Sequence, residues 1–215
     1  MSLRRGAGAV ALLVALLAAC SKPPDPLAAC RLPADGTVLA IGDSITRGHG
    51  ADGQGYPEQL QSLLAAEPGR ERVQVINLGR DGERSAGLRE RLDAALAEHR
   101  PSVVLITSGG NDFLRRVPAP DTRANLQAIV ERVRAAGAVP VLFAVPAPTL
   151  AAAVGALSDH ELYEALADDA RVVVIDDVVS DVLGRPELTA DRIHPNVAGY
   201  ARMAQAAREV LARCH

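Results

Sequence analysis

Residues Thr37–Thr46 read TVLAIGDSIT. Val38, Leu39, Ala40 and Ile41 form a short apolar run of the kind found in a strand covered on both faces. Gly42 interrupts it, and Asp43-Ser44 stand where such a strand hands over to a helix. In an open parallel sheet, chemistry collects beyond the carboxyl ends of the strands, so Ser44 occupies a position suited to a nucleophile. By itself a Gly-Asp-Ser turn also fits a helix cap or a phosphate-facing loop. The remainder of the chain must supply a base, a group to orient it, and donors for an oxyanion.

Working outward, a Gly-rich loop (Arg47–Pro57) leads to a helix expected over Glu58–Ala66, with Leu60, Leu63 and Leu64 at helical spacing. Val73–Leu78 predicts a second buried strand, closed by the turn Gly79-Arg80-Asp81-Gly82. Ser85 is placed to cap a helix striped by Leu88, Leu92 and Leu96. Val103–Thr107 predicts the third strand, running into Ser108-Gly109-Gly110-Asn111-Asp112. Asp121 or Thr122 can cap the next helix, striped by Leu126, Ile129, Val130 and Val133 and stopped at Gly137. Pro140–Val145 and Val172–Ile175 read as strands four and five, with a helix over Ser158–Asp168 between them. A loop reaching Pro195 precedes a last helix, Val197–Arg213. Strands alternating with helices at this interval predict a three-layer α/β domain on a five-stranded parallel sheet.

The 215 residues, 48% of them hydrophobic, suffice for one well-cored domain. Scarce aromatics and dispersed basic residues, with a formal net charge of -3, argue against a nucleic-acid face. Arg4 and Arg5 followed by the apolar stretch Gly6–Ala19 predict a signal peptide over residues 1–19, too short to span a bilayer. Leu17-Ala18-Ala19-Cys20 resembles a bacterial lipobox, which implies diacylation of Cys20, a lipid anchor in the cell envelope, and residues 20–29 as a lipidated, Pro-rich tether. Ser21 after Cys20 leans toward the outer membrane, by resemblance to lipoprotein sorting. An ordinary cleaved signal with Cys20 near the cut is the alternative. Acylation of Cys20 leaves Cys30 and Cys214, which either pair in an oxidising compartment or stay as two buried thiols. A pair would close a long loop and stabilise by roughly 4–5 kcal/mol at most.

Past the fifth strand stands Asp191-Arg192-Ile193-His194-Pro195. A serine hydroxyl needs a base to take its proton, and histidine titrates near neutrality. A carboxylate on the other ring nitrogen fixes the tautomer and stabilises the imidazolium. Asp191 and His194 are three residues apart, close enough for one turn to join them. His49, in the Gly-rich loop with Asp52 as its nearby carboxylate, is a rival base. No His/Cys cluster stands at metal-ligand spacing.

GDSI at Gly42–Ile45, the glycine turn after strand two, GGND at Gly109–Asp112 and DRIHP at Asp191–Pro195 together resemble the four blocks of the SGNH (GDSL-type) hydrolases. The likeness runs from about Thr37 to the C-terminus and is similar to the one-domain thioesterase/lysophospholipase and arylesterase branch. It implies a flavodoxin-like SGNH domain over residues 30–215 and Ser44, Asp191 and His194 as the catalytic triad. It further implies an oxyanion hole from the Ser44 and Gly82 N–H groups with the Asn111 side chain. For the block-two glycine, Asn77-x-x-x-x-Gly82 fits better than Gly79. The implied substrate is a small ester or thioester, with no cofactor or metal, acting as a monomer. Carbohydrate or peptidoglycan O-acetyl esters are a second substrate class, and a non-catalytic ligand-binding lipoprotein is a third reading. Phe113-Leu114-Arg115-Arg116 would form a bulky basic rim, or the arginines a solvated surface pair, and Pro146–Leu157 a lid or acyl-chain wall, or a loop covering the core.

Overall fold

The structure, a computed structural model, describes residues 25–146 and 157–215. The expected leader, the Cys20 anchor and most of the expected wall (147–156) lie outside the described residues. Five strands, β1 (Thr37–Gly42), β2 (Gln74–Gly79), β3 (Val103–Thr107), β4 (Val139–Phe143) and β5 (Val173–Ile175), pair in parallel in the order β2-β1-β3-β4-β5. Val38–Ile41 and Val103–Ile106 are fully buried, as their unbroken apolar runs require. β2 departs from expectation: Val75, Ile76 and Leu78 are only half-buried, because the strand ends up at the sheet edge.

The strand order decides where the helices go. From β1 the chain steps outward to β2, then reverses across β1 to β3 and continues to β4 and β5. Parallel crossovers are right-handed, so helix α2 (Tyr56–Ala65) covers one face, while α3 (Ser85–His99), α5 (Ala119–Ala135) and α6 (Leu162–Ala170) cover the other. The packing agrees, since α2 lies against α8 (Val197–Leu211) and α3 against α5. The apolar stripes expected for α3 and α5 are all among the buried residues of those helices.

Several local expectations are corrected. Helix α3 is not capped by the Ser85 side chain; Asp112 reaches over from the end of β3, accepting from Ser85 N at 2.9 Å and Ser85 Oγ at 2.6 Å. Helix α5 begins at Ala119, with Pro120 in its first turn, ahead of Asp121 and Thr122. The segment before Pro195 is not all loop: α7 (Val178–Leu183) and a 3-10 turn (Pro186–Leu188) lie within it. Two short helices, α1 (Ser44–Arg47) and α4 (Gly110–Leu114), start directly at the ends of β1 and β3.

Cys30 and Cys214 form a disulfide, S–S 2.03 Å, across a separation of 184 residues. Leu32 N donates to His215 O and His215 N to Cys30 O, so the two ends of the domain also share backbone bonds. Leu27 is buried beside them.

Candidate active site

Gly42 pairs with Gly79 of β2 and Thr107 of β3, so the three strands end level at the point where the chain reverses direction across the sheet. That crevice is where open α/β sheets place their ligands. Gly42 is required there by crowding: a Cβ would meet Thr107 O at 2.0 Å. Asp43 N donates to Thr107 O, and the Asp43 side chain accepts from Ile45 N at 3.0 Å, capping α1 and setting Ser44 in its first turn.

His194 reaches this point from the opposite end of the chain. Thr189 and Pro195 form a bridge, Ala190 N donates to His194 O, and Asn196 caps α8 by accepting from Gly199 N at 3.0 Å. The loop is therefore held on both sides. Asp191 Oδ1 accepts from Ile193 N and His194 N at 2.9 Å each, folding the acid back on its own loop. His194 Nδ1 lies 3.0 and 2.8 Å from the two Asp191 oxygens, and Nε2 lies 2.9 Å from Ser44 Oγ. With the Nδ1 proton facing the carboxylate, Nε2 is left bare to accept from the serine. Partial burial works to raise the pKa of Asp191. The hydrogen bonds from the His194 ring, Ile193 N and His194 N outweigh it and hold the carboxyl below its ordinary value. Ser44, Asp191 and His194 thus form a Ser-His-Asp triad.

The residues expected as oxyanion donors follow the ends of β1, β2 and β3. Asn111, on α4, directs Nδ2 at Asp43 Oδ2, 3.4 Å away, which leaves its second amide hydrogen free. Gly79 N donates to Asn77 Oδ1 at 2.9 Å, whereas Gly82 N and Ser44 N have no acceptor among the described residues. Gly79 has another task, since its Cα supports α1, and a Cβ there would lie 2.1 Å from Arg47 N. Gly82 turns with φ +70° beside Arg115, whose Nη2 is 3.5 Å from where a Gly82 Cβ would stand. Arg115 and Arg116 are exposed, which a solvated surface pair and a rim would both require.

Residues 40–202 match the GDSL-like Lipase/Acylhydrolase family. The chain belongs to that family. Among its GDSL-like relatives, Esterase TesA of Pseudomonas aeruginosa is 34% identical over 169 residues, covering 78% of this chain and 83% of the relative. Thioesterase 1/protease 1/lysophospholipase L1 of Escherichia coli K12 is 29% identical over 168 residues, covering 77% and 78%. A crystal structure of TesA superposes with TM-score 0.71 at 32% identity, covering 81% of this chain and 97% of that one.

The structure also shows roles that the GDSL-like blocks alone did not reveal. His49 N donates to Ser44 O at 3.0 Å, but among the described residues its ring makes no hydrogen bond to Ser44 Oγ. Its ring lies against that of His194, and its nearest carboxylate is Asp81, 3.8 Å away, not Asp52. Asp112, 1% exposed, holds Ser85 at the start of α3. Tyr163 OH donates to Ser108 O at 2.6 Å and fixes the turn before Asn111. In a single sequence nothing marks such bracing beyond an acidic residue, Asp112, following Asn111.

Proposed function

We propose that the protein hydrolyses carboxylic esters and thioesters of small acyl groups through an acyl-enzyme on Ser44. His194 Nε2 takes the Ser44 proton as Oγ attacks the carbonyl, and Asp191 steadies the resulting imidazolium. The N–H groups of Ser44 and Gly82 and the Asn111 amide hold the oxyanion. His194 then protonates the departing alcohol or thiol, and water repeats the sequence on the acyl group.

The observation that carries this reading is the unbroken relay from Asp191 through His194 to Ser44, with every link at hydrogen-bonding distance. Names among the relatives, esterase and thioesterase/lysophospholipase, support the same substrate class. The test is hydrolysis of p-nitrophenyl acetate and longer-chain esters. Ser44→Ala and His194→Ala should each lower kcat by roughly 10⁴–10⁶ with unchanged thermal unfolding. Wild-type rates in Ser44→Ala would end the proposal.

The sequence further supports a monomeric enzyme lipid-anchored through Cys20 in the cell envelope, at the outer membrane. Among the described residues no helix is long and apolar enough to cross a membrane. Intact mass of the envelope form and its loss on Cys20→Ser test the anchor. Sedimentation of that soluble variant tests the monomer.

A further inference from the structure

The hydrolytic cycle gives His49 nothing to do, yet its ring centroid is 4.3 Å from that of His194, with the planes tilted by 32°. One ligating atom each from His49, Asp191 and His194 lie within 4.8 Å of one another. Asp191 Oδ1 is engaged by two backbone N–H groups as well as the ring, whereas Oδ2 meets only His194 Nδ1. The group therefore offers two imidazole nitrogens and a carboxylate oxygen with lone-pair capacity to spare. Such a set suits zinc and its first-row neighbours, while magnesium and calcium favour oxygen ligands.

We propose that His49, Asp191 and His194 form an inhibitory binding site for a divalent first-row transition-metal ion, with Zn²⁺ as its representative. Tetrahedral zinc with bonds of about 2.0–2.2 Å needs its ligand atoms about 3.3–3.6 Å apart, so the group must contract by about an ångström. His49 is exposed and can supply that movement, although Tyr200 OH, donating to His49 O at 2.9 Å, holds its backbone. The charges facing the two rings are Asp191, Asp81 and Arg47, the last paired with Asp81, a balance that favours a cation.

Either mode of coordination disables the base. Binding through His194 Nδ1 shifts the ring proton to Nε2, which can then no longer accept from Ser44. Binding through Nε2 occupies the accepting lone pair directly. No covalent bond to substrate is involved, and a proton leaves only from a ring that was protonated, so acid opposes the metal.

The test uses untagged protein carrying Cys20→Ser, because a free thiol or a polyhistidine tag would itself bind zinc. Calorimetry with ZnCl₂ on a Ser44→Ala background should give one ion per chain. Adding His49→Ala should weaken it at least tenfold, since removing a direct ligand costs no less than the roughly 10–100-fold lost with an outer partner. On catalytically intact protein, ZnCl₂ should suppress ester hydrolysis, EDTA should restore it, and MgCl₂ should have no effect. His49→Ala should keep its metal-free rate and need at least about tenfold more zinc for the same inhibition. Equal zinc affinity or equal inhibition with and without His49, or no zinc binding, overturns the proposal. Because the calorimetry needs no turnover, it separates failure of this site from failure of the esterase reading.

Discussion

Asp43 is 3% exposed and bonded both to the α1 backbone and to Asn111. Burial pushes its carboxyl up to about 7, with Glu83 and Asp112 adding to the rise and the Ile45 N–H and Asn111 bonds opposing it. Protonation at Oδ2, the oxygen not held by Ile45 N, turns that acceptor into a donor facing Asn111 Nδ2. We expect release of Asn111 to lower kcat as pH drops through about 7. In Asp43→Asn the amide nitrogen would face Asn111 Nδ2, and kcat should drop by up to the roughly 10²–10³ of a lost oxyanion donor. A pH–rate profile of both proteins checks this. Stability runs the other way. A carboxyl raised in the folded state stabilises fully below its unfolded value, and that contribution is lost as pH rises through about 7. The melting temperature of Asp43→Asn relative to wild type should therefore be more favourable at pH 8.5 than at pH 5. Asn111→Ala, by contrast, should lower kcat by about 10²–10³ at every pH with little change in KM.

Two glycines beside β2 separate packing from conformation. Gly79→Ala drives a methyl into the backbone of α1 and must displace Ser44, so activity and melting temperature should fall together. Gly82→Ala has room for its methyl but holds φ +70°, which costs about 1–2 kcal/mol. The matched pair, compared by thermal unfolding and kcat, checks the assignment of support to one and turn to the other. Removing the Asp112 carboxylate with Asp112→Ala leaves Ser85 N without its acceptor at the start of α3, at a cost of about 1–3 kcal/mol in denaturant unfolding. These elements also mark what the sequence could disclose. Strands β1 and β3 were legible because burial on both faces writes an unbroken apolar run. The edge position of β2 was not, since strand order belongs to the assembled sheet. Helix α7 is six residues long and left too little periodicity to register. Asp112 could not be recognised as the cap of α3 because it approaches from 27 residues away.

Across the whole molecule, Ser44 and His194, 150 residues apart, meet beyond the carboxyl end of β1. Their pairing was readable because each carried a local signature. The tilted ring contact of His49 with His194 carried none, being set by how the Gly-rich loop is held by Tyr200. The Cys30–Cys214 bond closes nearly the entire domain, and in the chain-entropy model reducing it removes at most about 5 kcal/mol. Calorimetry with and without reductant should show melting fall by about 10–20 °C at that limit.

With the sulfur bridge in place the domain is topologically a ring. A single cut in the backbone anywhere between positions 31 and 213 yields two pieces that cannot part. A nicked molecule would run on an electrophoresis gel as an intact chain until thiol is added. The same closure means that new ends opened in a surface turn, with the old ones spliced, should leave a permuted chain that still assembles its triad.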